Sequence, residues 1–154
     1  MCRFTTVLLT LIAALLAGNV WACGDSLYRV GKGVSYRVYT APLPGSVLVY
    51  GWTEGSKMLA EALAKSGHIV TLADSELDLS LEMSQGQFDV VIAAYSDRNA
   101  IESRSATGTT YLPVALNKEE AKVAEQSYDY VMLADRDDIK NYLKAIHKTL
   151  KAKA

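Results

Sequence analysis

Few side chains in this sequence have the types and spacing that metal or phosphate chemistry requires. His68 and His147 are far apart, and neither has a second ligand at a metal-binding spacing. Residues 51–56, Gly-Trp-Thr-Glu-Gly-Ser, follow the first predicted strand, but they match neither glycine-rich pattern that cradles phosphates. We therefore expect no bound metal and no cofactor.

Four polar or aromatic residues form the candidate ligand site: Trp52, Tyr95, Asp97 and Asn117. Each is predicted just beyond the carboxyl end of a strand, where open parallel sheets bind their ligands. Such groups could line a small-molecule pocket, or they could fill the space at that end of the sheet without a ligand. We favour the second interpretation and keep the first as an alternative.

The stretch Gly24-Asp25-Ser26-Leu27 resembles the block that gives the GDSL esterases their name. In that family the serine works with a downstream Asp-x-x-His and a Gly-x-Asn-Asp, and this sequence contains neither. The block also follows an apolar leader rather than a buried first strand. We interpret the match as a coincidence and keep a Ser26 esterase only as a minor alternative.

Residues 1–22 are predicted to be a secretory signal peptide. Arg3 precedes a span without charge from Phe4 to Gly24, and its most apolar part is 7–17. Val20 and Ala22 occupy the −3 and −1 positions for cleavage after Ala22. An uncleaved membrane anchor would also fit the uncharged length, although threonine, glycine and asparagine residues dilute it.

Cleavage after Ala22 would make Cys23 the first residue of the mature chain and its only cysteine. Residues 20–23, Val-Trp-Ala-Cys, resemble a bacterial lipobox at three positions, with the bulky Trp21 as the departure. The sequence therefore predicts an exported bacterial protein, either a lipoprotein anchored through Cys23 or a periplasmic protein with a terminal thiol.

The amino-acid composition excludes several classes of protein. The whole chain has 154 residues and a net charge of −1, and residues 23–154 would carry −2. Ten glycines, three prolines and two cysteines exclude collagen-like and disulfide-framework proteins. The near-neutral charge gives no reason to expect nucleic acid as a partner. A chain of this length can bury one core without metals or disulfides.

Apolar runs and helical periodicity predict an α/β domain over 46–154, preceded by 23–45. Residues 26–39 alternate as a short hairpin or extended arm, and the proline-rich stretch 41–45 is predicted to be a stiff linker. The strands are predicted at 46–50, 68–72, 88–94, 111–116 and 128–133. Helices are predicted at 53–66, 74–83, 118–126 and from 139 onward, with a turn or short helix at 96–104; the segment 74–83 also alternates like a strand.

Several residues specify details of these elements. Met58, Leu59, Ala62 and Leu63 are predicted to form the buried stripe of the first helix, ended by Gly67. Pro113 predicts that the fourth strand is little paired on one side. The last helix has a stripe at Ile139, Tyr142, Leu143, Ile146 and Leu150, and Asp135, Asp137 and Asp138 at its start suit the helix dipole.

From Ser46 to Leu150 the chain resembles a response-regulator receiver domain. The resemblance lies in residues 47–50, 67–70, 88–92 and 128–131, and it is one of pattern. It implies a three-layer sandwich with a five-stranded parallel sheet in the order 2-1-3-4-5. Fold alone does not establish function, so the residues that carry receiver chemistry have to be compared one by one.

The positions that perform phosphotransfer in receivers hold unsuited residues here. The acidic pair that binds Mg²⁺ falls at Gly51 and Trp52, and the phosphoacceptor aspartate falls at Ala94. The hydroxyl and lysine positions fall near Leu116 and Leu133. Aspartyl phosphorylation needs a carboxylate nucleophile and oxygen ligands for the metal, and Asp97, three residues beyond the acceptor position, is not expected to replace them.

We therefore predict an exported, non-catalytic, receiver-like module that binds a protein partner or a small ligand. Contact with a membrane is expected only through the signal segment or a lipid on Cys23. The lysines of the last helix are expected to form a solvated face, and His147 is expected to lie on it.

Overall fold

The computed structural model describes residues 40–153. The predicted signal peptide, Cys23, Ser26 and the arm at 26–39 lie outside the described residues, so the predictions for them remain predictions. Between residues 40 and 153, no helix combines the length and the apolar character needed to cross a membrane.

Five parallel strands form one sheet, as the apolar runs predict. They are β1 (Ser46–Tyr50), β2 (Ile69–Ala73), β3 (Val90–Ala94), β4 (Thr110–Ala115) and β5 (Met132–Leu133). The order is β2-β1-β3-β4-β5, which confirms the predicted 2-1-3-4-5 arrangement. Every residue of β3 is buried, because helices cover both faces of a parallel sheet.

The helices are α1 (Glu54–Lys65), α2 (Glu76–Gln85), α3 (Arg98–Glu102), α4 (Lys118–Ala124) and α5 (Ile139–Lys153). A short 3-10 helix, Tyr95–Asp97, links β3 to α3. Thr53, Ser75 and Asn117 cap α1, α2 and α4 by accepting a backbone N–H three residues on. The segment that could be read as helix or strand is therefore helix α2, and Ser75 rather than Asp74 caps it.

The core divides into the two faces of the sheet. On one face Leu59 and Leu63 of α1 and Tyr142 and Ile146 of α5 pack over the central strands. On the other face the buried side chains come from α2 and α3, among them Leu79, Met83 and Ile101. These two layers and the sheet between them form the predicted three-layer sandwich.

One member of the predicted α1 stripe is wrong. Met58 is 44% exposed, whereas Leu59, Ala62 and Leu63 are buried. Gly55 and Ser56 take part in the buried face, because small residues let the start of α1 approach the sheet. Gly67 follows the helix with φ +99°, a left-handed conformation that glycine adopts without strain.

The fifth strand is much shorter than predicted. Only Met132 and Leu133 pair with β4, opposite Val114 and Ala115, so the prediction of a strand over 128–133 is wrong for its first four residues. Tyr128 instead donates its backbone N–H to Ala124 at the end of α4. The Tyr128 ring packs edge-on against Tyr95 and Tyr111, whereas Tyr130 packs against the core on the α1 side, so their alternation does not mark a strand.

Pro113 lies in β4, the strand that the sequence predicts to be little paired on one side. Thr110 N–H donates to the carbonyl oxygen of Asp89, the residue before β3, so the backbone of Thr110 faces β3. Successive residues of a strand face opposite neighbours, so the nitrogen of Pro113 faces β5. The missing N–H therefore costs no bond to β3, and β4 keeps five registered pairs with that strand.

The stretch that leads into β1 lies against the domain. Ala41 is buried, and its N–H donates to Ser66 O at 2.7 Å. Gly45 N–H donates to Nδ1 of the buried His68 at 3.2 Å, just before β2 begins. Residues 41 and 45 therefore lie against the stretch 66–68, which joins α1 to β2.

Candidate functional site

The candidate site is the carboxyl edge, which we define as the ends of β1, β3, β4 and β5 with the residues that follow them. Trp52 stands here 66% exposed, with its ring edge-on to Tyr50 at 6.3 Å. Tyr50 is buried at the end of β1, and burial followed by the charges of Asp97 and Glu76 raises the pKa of its phenol. Trp52 thus exposes a large aromatic surface to solvent, while one part of its ring contacts the buried Tyr50.

Tyr95 is committed to packing within the protein. It is buried, the Arg98 guanidinium lies 4.6 Å from its ring centroid, and the Tyr128 ring is edge-on at 6.1 Å. Tyr128 in turn packs edge-on against Tyr111 at 5.4 Å, and Tyr111 donates its hydroxyl to Ala94 O at 2.6 Å. This arrangement favours the space-filling interpretation for Tyr95.

Asp97 is half-buried at the start of α3. Ser96 Oγ lies 3.4 Å from its carboxylate, and burial raises the pKa of Asp97. Among residues 40–153, no group of three or more histidine, cysteine, aspartate or glutamate side chains is arranged to hold a metal ion. Asp97 therefore has no partner ligands there with which to form a metal site.

Asn117 has a structural role at the start of α4. Its Oδ1 accepts the Glu120 N–H at 2.8 Å, while Glu120 Oε2 accepts the Leu116 N–H at 2.6 Å. This reciprocal pattern satisfies two amide groups that the helix start would otherwise leave unpaired. The side chain is exposed, but its carbonyl oxygen is already used as a cap.

The residues compared with the phosphotransfer positions of receivers lie at or just beyond the ends of the strands. Gly51 and Trp52 directly follow β1, and Ala94 is the last residue of β3. Leu116 directly follows β4, and Leu133 ends β5. Ala94 and Leu133 are buried, and Leu116 is about half exposed. These side chains provide no acidic pair, no carboxylate nucleophile and no lysine at these positions.

Three surface cavities lie away from the four predicted residues. Their volumes are about 540, 400 and 190 Å³, and all three are lined by residues of the segment 126–132. Trp52, Tyr95, Asp97 and Asn117 line none of the three. Residues 128–133 alternate as a strand would, so their sequence does not reveal a surface cavity in this region.

An aromatic and charged cluster borders this segment. Tyr128 donates its hydroxyl to Glu102 of α3, and burial, followed by this hydrogen bond and the carboxylate charge, raises the pKa of Tyr128 to about 12. On the other side, the Lys148 ammonium lies 5.6 Å from the Tyr130 ring. The several tyrosines in this segment are visible in the sequence. The hydrogen bond between Tyr128 and Glu102 is not, because the two residues are 26 positions apart in the chain.

Both histidines of the chain are less exposed to solvent than a surface side chain would be. His68 is buried, and burial lowers its pKa. His147 is half-buried rather than on a fully solvated face, and its Nδ1 has no hydrogen-bond partner among the described residues. The expectation of a solvated His147 is therefore wrong in part.

Comparison with known proteins identifies the fold. No family model matches the chain, and no curated protein matches it. A solved structure from Sinorhizobium meliloti, assigned as the CpaE2 pilus assembly protein, superposes with a TM-score of 0.52 at 10% identity and covers 68% of this chain and 98% of its own. At that identity the likeness shows an α/β, flavodoxin-like fold with a receiver-like sheet, and no more.

Proposed function

We propose that this chain is a non-catalytic, receiver-like module that acts by binding a protein partner. The observation that carries the proposal is the set of residues at the carboxyl edge. A receiver fold that presents Gly51, Trp52, Ala94, Leu116 and Leu133 at its phosphotransfer positions lacks both the nucleophile and the metal ligands of that reaction.

Exposed apolar side chains support a binding role. Trp52 is 66% exposed at the carboxyl edge, and Leu77 at the start of α2 is 77% exposed. Tryptophan is among the residues most often found as anchors of protein interfaces, so Trp52 carries most of this support. The assignment of the Sinorhizobium neighbour to pilus assembly is not carried over, because 10% identity supports the fold alone.

Beryllofluoride titration tests the non-catalytic half of the proposal. With Mg²⁺ and beryllofluoride added to the labelled protein, we expect no change in the amide resonances of Gly51, Ala94 or Asp97, because no carboxylate stands at the acceptor position. A Mg²⁺-dependent shift at Asp97 that disappears in Asp97→Asn would contradict the proposal. The unliganded Asp97→Asn protein provides the reference spectrum.

Site-specific photo-crosslinking in the native host tests the binding half. We expect a photoreactive residue at Trp52 or Leu77 to capture one defined protein, because these side chains are exposed and apolar. The same group at Lys122, on the exposed side of α4, is the matched control. Equal capture from all three positions, or from none, would contradict a specific interface that includes Trp52 or Leu77.

A small-molecule-binding protein is the second candidate, and the presence of exposed Trp52 and half-buried Asp97 at the same end of the sheet favours it. Ligand-induced quenching of Trp52 fluorescence without any crosslinked protein would support this candidate instead. The esterase alternative rests on Ser26, outside the described residues, and on a match of four residues. Loss of p-nitrophenyl acetate hydrolysis in Ser26→Ala would be needed to revive it.

We further propose that the protein is exported by a bacterium, and that residues 1–22 are removed. The uncharged span from Phe4 to Gly24 after Arg3, and the small residue at Ala22, support export. The intact mass of the protein isolated from cells distinguishes a free Cys23 terminus from a diacylglyceryl-modified one. An unprocessed N-terminus would overturn cleavage after Ala22.

A further inference from the structure

Strand β2 forms one edge of the sheet and offers backbone groups on its outer side. Ile69 N–H donates to Gly45 O, and Gly51 N–H donates to Ala73 O, so residues 69 and 73 face β1. By alternation, the N–H and C=O groups of Val70 and Leu72 face outward. Within residues 40–153, β2 pairs with β1 alone.

The side chains of β2 are also incompletely covered. Ile69 is 72% exposed, and Val70 and Leu72 are half-buried where they pack against the core on the α1 side. An apolar edge strand of this kind is a template for a further strand, and natural proteins usually cover it.

The chain itself leads to this edge. Ala41 N–H donates to Ser66 O, three residues before β2 begins, and Ile69 N–H donates to Gly45 O, so residues 41–45 lie against the stretch that leads into β2. If residues 34–39 run back along β2, their direction is antiparallel to it. An antiparallel edge strand on an otherwise parallel sheet is common in folds of this kind.

Residues 34–39 lie outside the described part, and their sequence, Val-Ser-Tyr-Arg-Val-Tyr, alternates with a period of two. We propose that this segment pairs with β2 as a sixth, antiparallel strand, with Val38 opposite Val70 and Tyr36 opposite Leu72. This register sets apolar side chains against the half-buried pair on the α1 side. It also sets Tyr39 against the exposed side chain of Ile69.

Charge supports the same register. Opposite Thr71, Arg37 would lie on the α2 side of the sheet, because residues of β2 alternate between the two faces. Helix α2 carries Glu76, Asp78 and Glu82 and no basic residue. Over residues 24–39 as a whole, Arg29, Lys32 and Arg37 outnumber the single acidic residue, Asp25. A basic strand beside an acidic helix is the favourable combination.

Amide hydrogen exchange in the whole chain tests the proposal. The Val70 and Leu72 amides should be protected, because the proposed strand accepts both hydrogen bonds. Tyr36→Pro removes an N–H and distorts the strand, so it should accelerate exchange at both amides by about tenfold or more. Val30→Pro, in the same arm but outside the pairing, is the matched control and should leave protection unchanged.

Three results of the exchange experiment would overturn the proposed strand pairing. Unprotected Val70 and Leu72 amides in the parent chain, or protection that Tyr36→Pro leaves intact, would overturn the proposal. Protection that rises with protein concentration would assign the edge to a second copy and also overturn it. The Val47 amide, which lies in the centre of the sheet, reports whether a variant remains folded.

A disulfide checks the register. In a background with Cys2→Ser and Cys23→Ser, Tyr39→Cys with Ile69→Cys should form an intramolecular disulfide, because opposed antiparallel residues have Cα atoms about 4.5–5.5 Å apart. Arg37→Cys with Ile69→Cys, shifted by two residues, is the control. Preferential crosslinking of the shifted pair would contradict the proposed register.

Discussion

The two edges of the sheet are built differently. At the β5 edge, the outward Leu133 N–H is taken by the Asp137 carboxylate at 2.7 Å, so a side chain closes the edge. At the β2 edge, the outward groups of Val70 and Leu72 have no hydrogen-bond partner among residues 40–153. One edge is thus sealed by local side-chain chemistry, while the other is left for a backbone strand.

The difference shows what limits each edge. Strand β5 is short because Pro113 lacks a donor on that side and because Tyr128 is directed to Glu102 rather than into a ladder. Strand β2 is regular over all five residues, in register with β1 from Ser46 to Tyr50. Pro113 and Tyr128 thus limit the pairing of β5, whereas β2 pairs with β1 along its full length.

The largest expected effect is at the closed edge. Asp137 is buried and accepts hydrogen bonds from Leu133 N–H, the Arg136 guanidinium and Asn141 Nδ2. We expect Asp137→Ala to lower the free energy of unfolding by about 2–3 kcal/mol, because it leaves the buried Leu133 N–H without an acceptor. Urea denaturation followed by circular dichroism measures the loss.

Asp138→Ala is the matched control for that substitution. Among residues 40–153 the Asp138 carboxylate accepts one hydrogen bond, from the Asn141 N–H at 3.2 Å at the start of α5, so its loss should cost about 0.5–1 kcal/mol. Equal costs for the two substitutions would contradict the view that Asp137 closes the β5 edge.

A smaller effect, dependent on pH, is expected beside the β2 edge. Burial lowers the pKa of His68, so the folded state keeps the ring neutral at pH values where the unfolded chain binds a proton. The contribution of His68 is therefore complete above pH about 6.5 and decreases as the pH falls below it. Urea midpoints at pH 7.5 and pH 5.0 measure this decrease.

His68→Asn provides the comparison, because its amide oxygen can accept the Gly45 N–H but does not titrate. The parent protein should lose more stability than this variant between the two pH values, while the carboxylates titrate alike in both. Parallel losses would show that His68 does not link the start of β2 to pH.

The sheet centre could be predicted from sequence, and the periphery could not. Residues 47–50 and 90–94 are continuous apolar runs, which a strand buried on both faces requires, so the parallel sheet and its two covering layers could be predicted from them. The Pro113 prediction was also confirmed, because a missing donor is a property of one residue. These features depend on local chemistry alone. The strand order came from the resemblance to receiver domains.

The errors concern residues whose role depends on distant partners. Tyr128 alternates with Tyr130 as a strand would, but its place is set by Glu102, Tyr95 and Tyr111. Asp137 was interpreted as one of three acids suited to a helix dipole, although it alone is buried and accepts the Leu133 N–H. The same distinction holds in the candidate site. The capping role of Asn117 can be predicted from a short local motif, whereas the packing of Tyr95 depends on residues that only the fold brings near it.

The short β4–β5 junction has a mechanical consequence. Strand β4 is joined to β3 by five registered pairs but to β5 by only two. A force applied between β4 and β5 would therefore separate these two strands before it separates the central ones. The strands β2, β1, β3 and β4 would then remain joined by their own registered pairs.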